Sequence, residues 1–401
     1  VTVAIHRTRL IDGTGAALEG ATIVVRGATI VAAGPARDVA IPKGATRIDG
    51  RGLTVLPGLI DCHVHLCLGG EPDVVAAVEA ERPADTLLKA VAHAKATLEA
   101  GFTTVRDVGA RDHSIFALKR AIQAGRVPGP RIAGAGLAIC MIGGHARFIG
   151  QEVEGPEQVR QAVEAQVAAG ADVIKVIASG GVLTPGTSPD QAQMTPEELS
   201  AAVEAAQRAG KKVAAHAHGA SGMKNALHAG VHSIEHATLL DEEAGVLMKR
   251  HGVYMVPTLS ALATTAAGRT GCGIPASAME KAKSMTKRHQ ASFKQAHRSG
   301  ILIAMGTDAG TPFNYHGDNA QELERMVALG MSPMEAIVAS TSAAARLIGV
   351  HDSVGTLEKG MQADLLVIDG HPLKKIEQLR DRDRIVGVMQ AGQFVAGPLA
   401  R

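Results

Sequence analysis

Through the middle of the chain, short apolar runs alternate with longer stretches whose apolar positions recur every three or four residues. That is the pattern of strands alternating with amphipathic helices. Eight strand candidates end near Ile60–His65, Thr104–Asp107, Ile132–Gly136, Val173–Ile177, Val213–His216, Ser233–His236, Met255–Thr258 and Ile303–Asp308. Helical periodicity fills most gaps, over 84–100, 156–169, 196–209 and 276–298, with a helix-rich tail over 321–348. Thr195-Pro196 and Ser332-Pro333 read as N-caps with proline at the first helical position. Gly101, Gly170, Gly210, Gly230, Gly252 and Gly300 each follow a helical run and precede a strand, as helix-ending glycines do. Eight such units over 57–353 predict a (β/α)8 TIM barrel. A doubly wound sheet is the rival, weakened because no GxGxxG or Walker-type loop is found.

Both ends of the chain have a different texture. Val3-Ala4-Ile5, 22–26, 29–33 and Arg47-Ile48 are β-like runs separated by turn signals at Asp12-Gly13 and Gly34-Pro35. Near the far end, 364–368 and 385–389 flank an Asp369-Gly370 turn and a charged stretch. Residues 1–56 and 354–401 are therefore expected to pair as one small β-sandwich domain beside the barrel.

Composition narrows the picture. In a chain of 401 residues, 46% are apolar and only 2% aromatic, so a sizeable core must be built from aliphatic side chains. Lys and Arg (41) nearly balance Asp and Glu (39), and no polybasic run occurs, which argues against nucleic-acid or anionic-membrane partners. No charge-free apolar stretch approaches the roughly 18 residues of a spanning helix. Cys62, Cys67, Cys140 and Cys272 form no CxxC pair and read as free thiols. A start at Val1 leaves room for a removed leader, so cytoplasmic and exported locations both stay open.

Catalytic groups of a TIM barrel stand at the C-terminal ends of its strands. There the sequence puts His63 and His65 on strand one, Lys175 on strand four, His216 on five, His236 on six and Asp308 on eight. Residues i and i+2 of a strand share a face, so His63 and His65 can both point inward at one ion. Imidazole and carboxylate ligands suit zinc, manganese or cobalt. A single histidine here would more simply be a hydrogen-bonded core residue; the recurrence over separate strands argues otherwise. Lys175 would be costly to bury unpaired. Its neutral amine can react with CO2 to give a carbamate, an anionic ligand able to bridge two cations; the alternatives are a pair with Asp172 or a side chain snorkelling to the mouth.

The string Pro57-Gly58-Leu59-Ile60-Asp61-Cys62-His63-Val64-His65 resembles the opening motif of the amidohydrolase superfamily. GFTTVRDVG (101–109), GADVIKVIASGG (170–181), HSIEHAT (232–238) and GTDAG (306–310) resemble its imidazolonepropionase-like branch. Members of that branch with the lysine are similar to Xaa-Pro or Xaa-Arg/Lys dipeptidases and ochratoxin-degrading amidohydrolases. The resemblance implies two divalent ions, expected to be zinc. His63, His65 and Asp308 would hold one, His216 and His236 the other, with N6-carboxylated Lys175 and a hydroxide between them. Asp308 would take the proton of the hydroxide and deliver it to the leaving amine, and His145 would polarise the scissile carbonyl. The alternative for His145 is a loop histidine capping a turn. His218 stands where related dipeptidases often carry a tyrosine, which makes it the candidate contact for a substrate carboxylate and puts that contact in doubt. Homo-oligomers, up to octamers, occur among such proteins.

The expected reaction is hydrolysis of the amide bond of a dipeptide or N-acyl amino acid, with ochratoxin A a plausible substrate. Deamination fits less well: Lys175 is present, and Gly219 stands where deaminases of this kind place a glutamate. Cyclic-amide hydrolysis shares the lysine. A metal-free scaffold of the same fold would be expected to have lost ligands, and all six positions are retained.

Overall fold

A computed structural model describes residues 1–400. The chain opens with β1 (Thr2–Ile11), β2 (Ala17–Arg26), β3 (Thr29–Pro35), β4 (Thr46–Asp49) and β5 (Leu53–Pro57). Nine strands follow among helices: β6 (Leu59–Val64), β7 (Phe102–Asp107), β8 (Arg131–Gly134), β9 (Ala138–Met141), β10 (Gly150–Val153), β11 (Val173–Ile177), β12 (Lys212–Ala217), β13 (Ser233–His236) and β14 (Tyr254–Val256). The chain closes with β15 (Leu365–Asp369), β16 (Ile385–Gln390) and β17 (Gln393–Ala396).

Strands from the two ends join in one eight-stranded sheet, in the order β17-β16-β15-β5-β1-β2-β3, with β4 beside β1. Strand β1 forks: Val3–His6 pair with β4 and Arg9-Leu10 with β5. The fork lets the two arms of the sheet face each other. Ile5, Ile23 and Ile30 of one arm share a buried cluster with Val55, Leu365, Val367 and Met389 of the other.

In the middle of the chain the strands are parallel, as alternation with helices requires. They are buried along their whole length apart from a few end positions, as expected of a sheet covered on both faces. The helices match their caps. Thr195 and Ser332 each close a capping box with a glutamate three residues on, and Gly170 and Gly230 end their helices in the left-handed conformation. The helix expected over 84–100 spans Pro83–Glu99, and that over 276–298 spans Ala276–Arg298. No described helix is long and apolar enough to cross a membrane.

The ladder of the (β/α)8 ring is not continuous. It consists of one arc β6-β7-β8 and another β10-β9-β11-β12-β13-β14. The third strand is broken at Gly136, whose φ of +73° turns the chain. Its first half, β8, pairs with β7, and its second, β9, with β11. The eighth strand expected at Ile303–Asp308 makes only isolated bridges, Met255 with Ile303 and Val64 with Ala309. Two features explain this. Asp308 adopts a left-handed φ of +59°, and the buried Asp61 carboxylate takes the place of ladder bonds. It accepts hydrogen bonds from the amides of His63 (3.0 Å) and Thr307 (3.1 Å), the Thr307 hydroxyl (2.6 Å) and Asn319 (2.7 Å). The segment still lies between its neighbours, since Cys62 N donates to Met305 O (2.9 Å) and Ala304 N to Met255 O (3.0 Å).

Candidate active site

The ends of these strands line a single cavity. His63, His65, His145, Lys175, His216, His218, His236 and Asp308 all face it, and all eight are buried. The ligand atoms of His63, His65 and Asp308 lie within 4.8 Å of one another, as do those of His216, His218 and His236. The two groups adjoin, with the rings of His63 and His236 5.1 Å apart.

Strand alternation alone does not produce this convergence. Glu235 points into the barrel, so its neighbour His236 would point out. His236 instead takes a φ of +70°, which swings its ring inward. Thr258 and Asp308, at the following strand ends, are left-handed too, with φ of +50° and +59°. Such a conformation costs an ordinary residue about 1–2 kcal/mol, and its concentration at three strand ends marks the functional rim.

Most rings are gripped on the side away from the cavity, as metal ligands are. His63 Nδ1 donates to Glu235 Oε2 (2.8 Å) and His65 Nδ1 to the carbonyl of Gly109 (2.8 Å), which turns both Nε2 atoms toward Asp308 Oδ1 at 3.4 and 3.2 Å. His216 is held the other way round: Nε2 donates to Gly180 O (3.2 Å), so Nδ1 faces His236 Nε2 at 2.9 Å. Thr258 Oγ1 anchors His236 Nδ1 (2.6 Å), and His289 Nε2 holds the His236 carbonyl (3.0 Å). His218 Nδ1 meets Thr238 Oγ1 (2.7 Å), and its ring stacks on that of His236 at 4.6 Å. Buried inward-facing nitrogens beside a carboxylate fit divalent cations of the borderline class.

Burial pulls His216, His218 and His236 well below the usual imidazole range, so all three stay neutral. Burial would raise Asp308, but the charges and hydrogen bonds of His63 and His65 outweigh it and hold the carboxyl well down. Burial pushes His145 to about 3. Thr184 Oγ1, which accepts from the amide of Ala146 (3.3 Å), lies 2.9 Å from His145 Nδ1. With the hydroxyl proton directed at Nδ1, the ring presents Nε2–H. The ring lies directly over Gly181, where a Cβ would fall within 2.2 Å of Nε2.

Lys175 is 2% exposed and has no hydrogen bond or ion pair among the described residues. Desolvation lowers it to about 8, against the pull of the Glu235 and Asp308 charges. Asp172, its alternative partner, is engaged by Lys119 at 2.6 Å. The remaining walls are apolar, from Leu68, Phe148, Ile149, Val182, Leu183 and Leu262. Two charged residues at this centre escape a search of strand ends, because they lie one step deeper: Arg106 on β7 and Glu235 on β13. Both positions are fully buried, but their strands, FTTVRD and SIEH, are rich in polar residues and lack the apolar run that singled out Lys175 in VIKVI.

The barrel and its histidine-rich cavity match those of hydrolases acting on C–N bonds. The chain belongs to the amidohydrolase family, whose model matches residues 54–395. It is 31% identical to the ochratoxinase of Aspergillus niger over 98% of this chain and 86% of that protein. Among solved structures, a Xaa-Pro dipeptidase with methionine bound in its active site superposes with a TM-score of 0.92 at 36% identity, covering 99% of this chain and 100% of the other. A prolidase complexed with N-methylphosphonate-L-proline does so with a TM-score of 0.92 at 31% identity, covering 98% and 99%.

Proposed function

We propose that the chain is a binuclear metal-dependent amidohydrolase that cleaves the amide bond of a dipeptide or N-acyl amino acid and releases the C-terminal amino acid. The observation that carries this reading is the unpaired, buried Lys175 lining one cavity with two adjoining sets of ligand atoms. Similarity to an ochratoxinase and to Xaa-Pro dipeptidases supports the substrate class.

His63, His65 and Asp308 would hold one ion and His216 and His236 the other, with Lys175 shared. When bound, the ions supply Lewis acidity and make a water molecule acidic enough to attack at neutral pH. The neutral Lys175 amine forms an N–C bond with CO2 and loses a proton to water, leaving an anionic carbamate. Desolvation favours that neutral amine. The Asp308 carboxylate accepts the proton of the attacking water and returns it to the leaving nitrogen. His145 Nε2–H donates to the scissile carbonyl oxygen as negative charge develops there, and His218 contacts the substrate carboxylate. Val182, Leu183 and Leu262 seat an apolar side chain and exclude water.

The test is amino-acid release by the metal-loaded protein from a panel of acyl-phenylalanines, including ochratoxin A, Xaa-Pro and other dipeptides, and hydantoins. Turnover confined to hydantoins, or to none of them, would reject the proposal. Lys175→Ala is expected to lose at least about a hundredfold in kcat, with partial recovery when propionate supplies the missing carboxylate. Full activity without propionate would remove the lysine from the site.

A further inference from the structure

Beneath the His63 group, three strands of the barrel contribute a closed network of charges. Arg106 of β7 donates through Nε to Cys62 O (2.6 Å), through Nη1 to Ser233 Oγ (3.0 Å) and through Nη2 to Glu235 Oε1 and Oε2 (2.8 and 3.0 Å). Glu235 of β13 also accepts from Ser233 Oγ (2.5 Å) and from His63 Nδ1 (2.8 Å). The side chains of Arg106 and Glu235 are 2% and 0% exposed. A buried ion pair is weak evidence for stability, because apolar residues of similar volume often replace one without loss. What distinguishes this pair is its third member. Around the two ligand sets, the other described rings are anchored by carbonyls or hydroxyls, and only His63 rests on a carboxylate.

We propose that Arg106 and Glu235 are positioning residues that fix His63 in its Nδ1–H tautomer, so that Nε2 presents a lone pair to a cation shared with His65 and Asp308. The inference rests on the reading of His63 as a metal ligand. Glu235 is an obligate acceptor and leaves the His63 ring no other tautomer. Arg106 balances its charge and, by its bond to Cys62 O, ties the pair to the backbone one residue before His63. The pair therefore sets both the proton and the position of the ligand.

Glu235→Gln tests this sharply. Arg106 would claim the amide oxygen, leaving the amide NH2 against His63 Nδ1, which must then accept; the ring proton moves to Nε2 and blocks the ligand atom. The variant is compared with wild type by ¹⁵N shifts of the His63 imidazole in metal-free protein and by ion affinity in competition with a chromophoric chelator. The expected result is a swap of the His63 nitrogen shifts, with one of two ions bound about 10–100-fold more weakly and the other unchanged. Unaltered shifts and affinities would overturn the proposal and leave the pair purely structural. Arg106→Met strands a buried carboxylate and is expected to fold poorly. Arg106→Met with Glu235→Gln removes both charges and frees the amide oxygen to accept from His63 Nδ1, so thermal stability and the wild-type His63 nitrogen shifts are expected to return; shifts that stay swapped in this variant would also overturn the proposal. His63→Asn separates the underlying reading: undiminished ion content there rejects His63 as a ligand, whatever Glu235→Gln does.

Discussion

The two ligand sets share one cavity yet are held by different kinds of atoms. His63, His65 and Asp308 form a charged set, with an ionised carboxylate among the ligand atoms and the Glu235–Arg106 pair behind them. His216 and His236, with the His218 ring stacked beside them, form a neutral set backed by Gly180 O and Thr258 Oγ1, and Thr238 Oγ1 backs His218. Carboxylates both orient an imidazole and attract a cation, whereas hydroxyls and carbonyls mainly orient. Of two ions, the one at the charged set should therefore be the resident and the one at the neutral set the more exchangeable. In the proposed binuclear site the neutral set would then depend on Lys175, if carboxylated, for its anionic ligand.

The largest test of this contrast removes the charge. Asp308→Asn deletes an anionic ligand and a proton carrier together, so kcat should fall by at least about a hundredfold and ion content by one per chain. Steady-state kinetics and elemental analysis measure both; retention of two ions and most activity would erase the distinction. A second, smaller effect is the order of release. Titration of the loaded protein with a chelator should show two steps, the first missing from His236→Asn and the second from His65→Asn. The reverse assignment would invert the ranking.

The smallest effect concerns pH behind the neutral set. Glu322 is buried and accepts from the amides of Leu259 and Ser260 (2.7 and 2.8 Å), next to the Thr258 that anchors His236. Burial raises its carboxyl to about 7, against the hydrogen bonds from Ser260 and Leu259. Because its folded value lies above the unfolded one, its contribution to stability is full below the unfolded range and is lost as pH rises through about 7. The Tm of metal-free wild type relative to Glu322→Gln should accordingly decline by a few degrees between pH 5 and pH 8. A constant difference would show that Glu322 does not titrate there.

Much of this arrangement is legible in the sequence because period and position carry it. The alternation of runs and helices implied the barrel, Thr195 and Ser332 marked helix starts, and the strand-end residues converge on one cavity. The eighth strand was expected at Ile303–Asp308, but its loss of ladder pairing was not legible, since the Asp61 side chain supplies bonds that a ladder pattern would assign to backbone. Nor was the inward turn of His236, which depends on a left-handed backbone that no side-chain periodicity encodes. Arg106 and Glu235 lie in strands rich in polar residues, so nothing in the local pattern marks them, and their pairing needs three strands brought together in space.

The shared sheet of the chain ends bears on the order of events during synthesis. Strand β5 runs through Pro57-Gly58 into β6, which carries His63, and it finds its antiparallel partner in β15 at Leu365–Asp369. Gly58 N likewise donates to Asp364 O (2.9 Å). On the ribosome, where chains emerge at about 5–20 residues per second, the segment leading into β6 keeps an open edge until Asp369 has left the exit tunnel. The cavity histidines translated first thus follow a strand whose partner is among the last to be made.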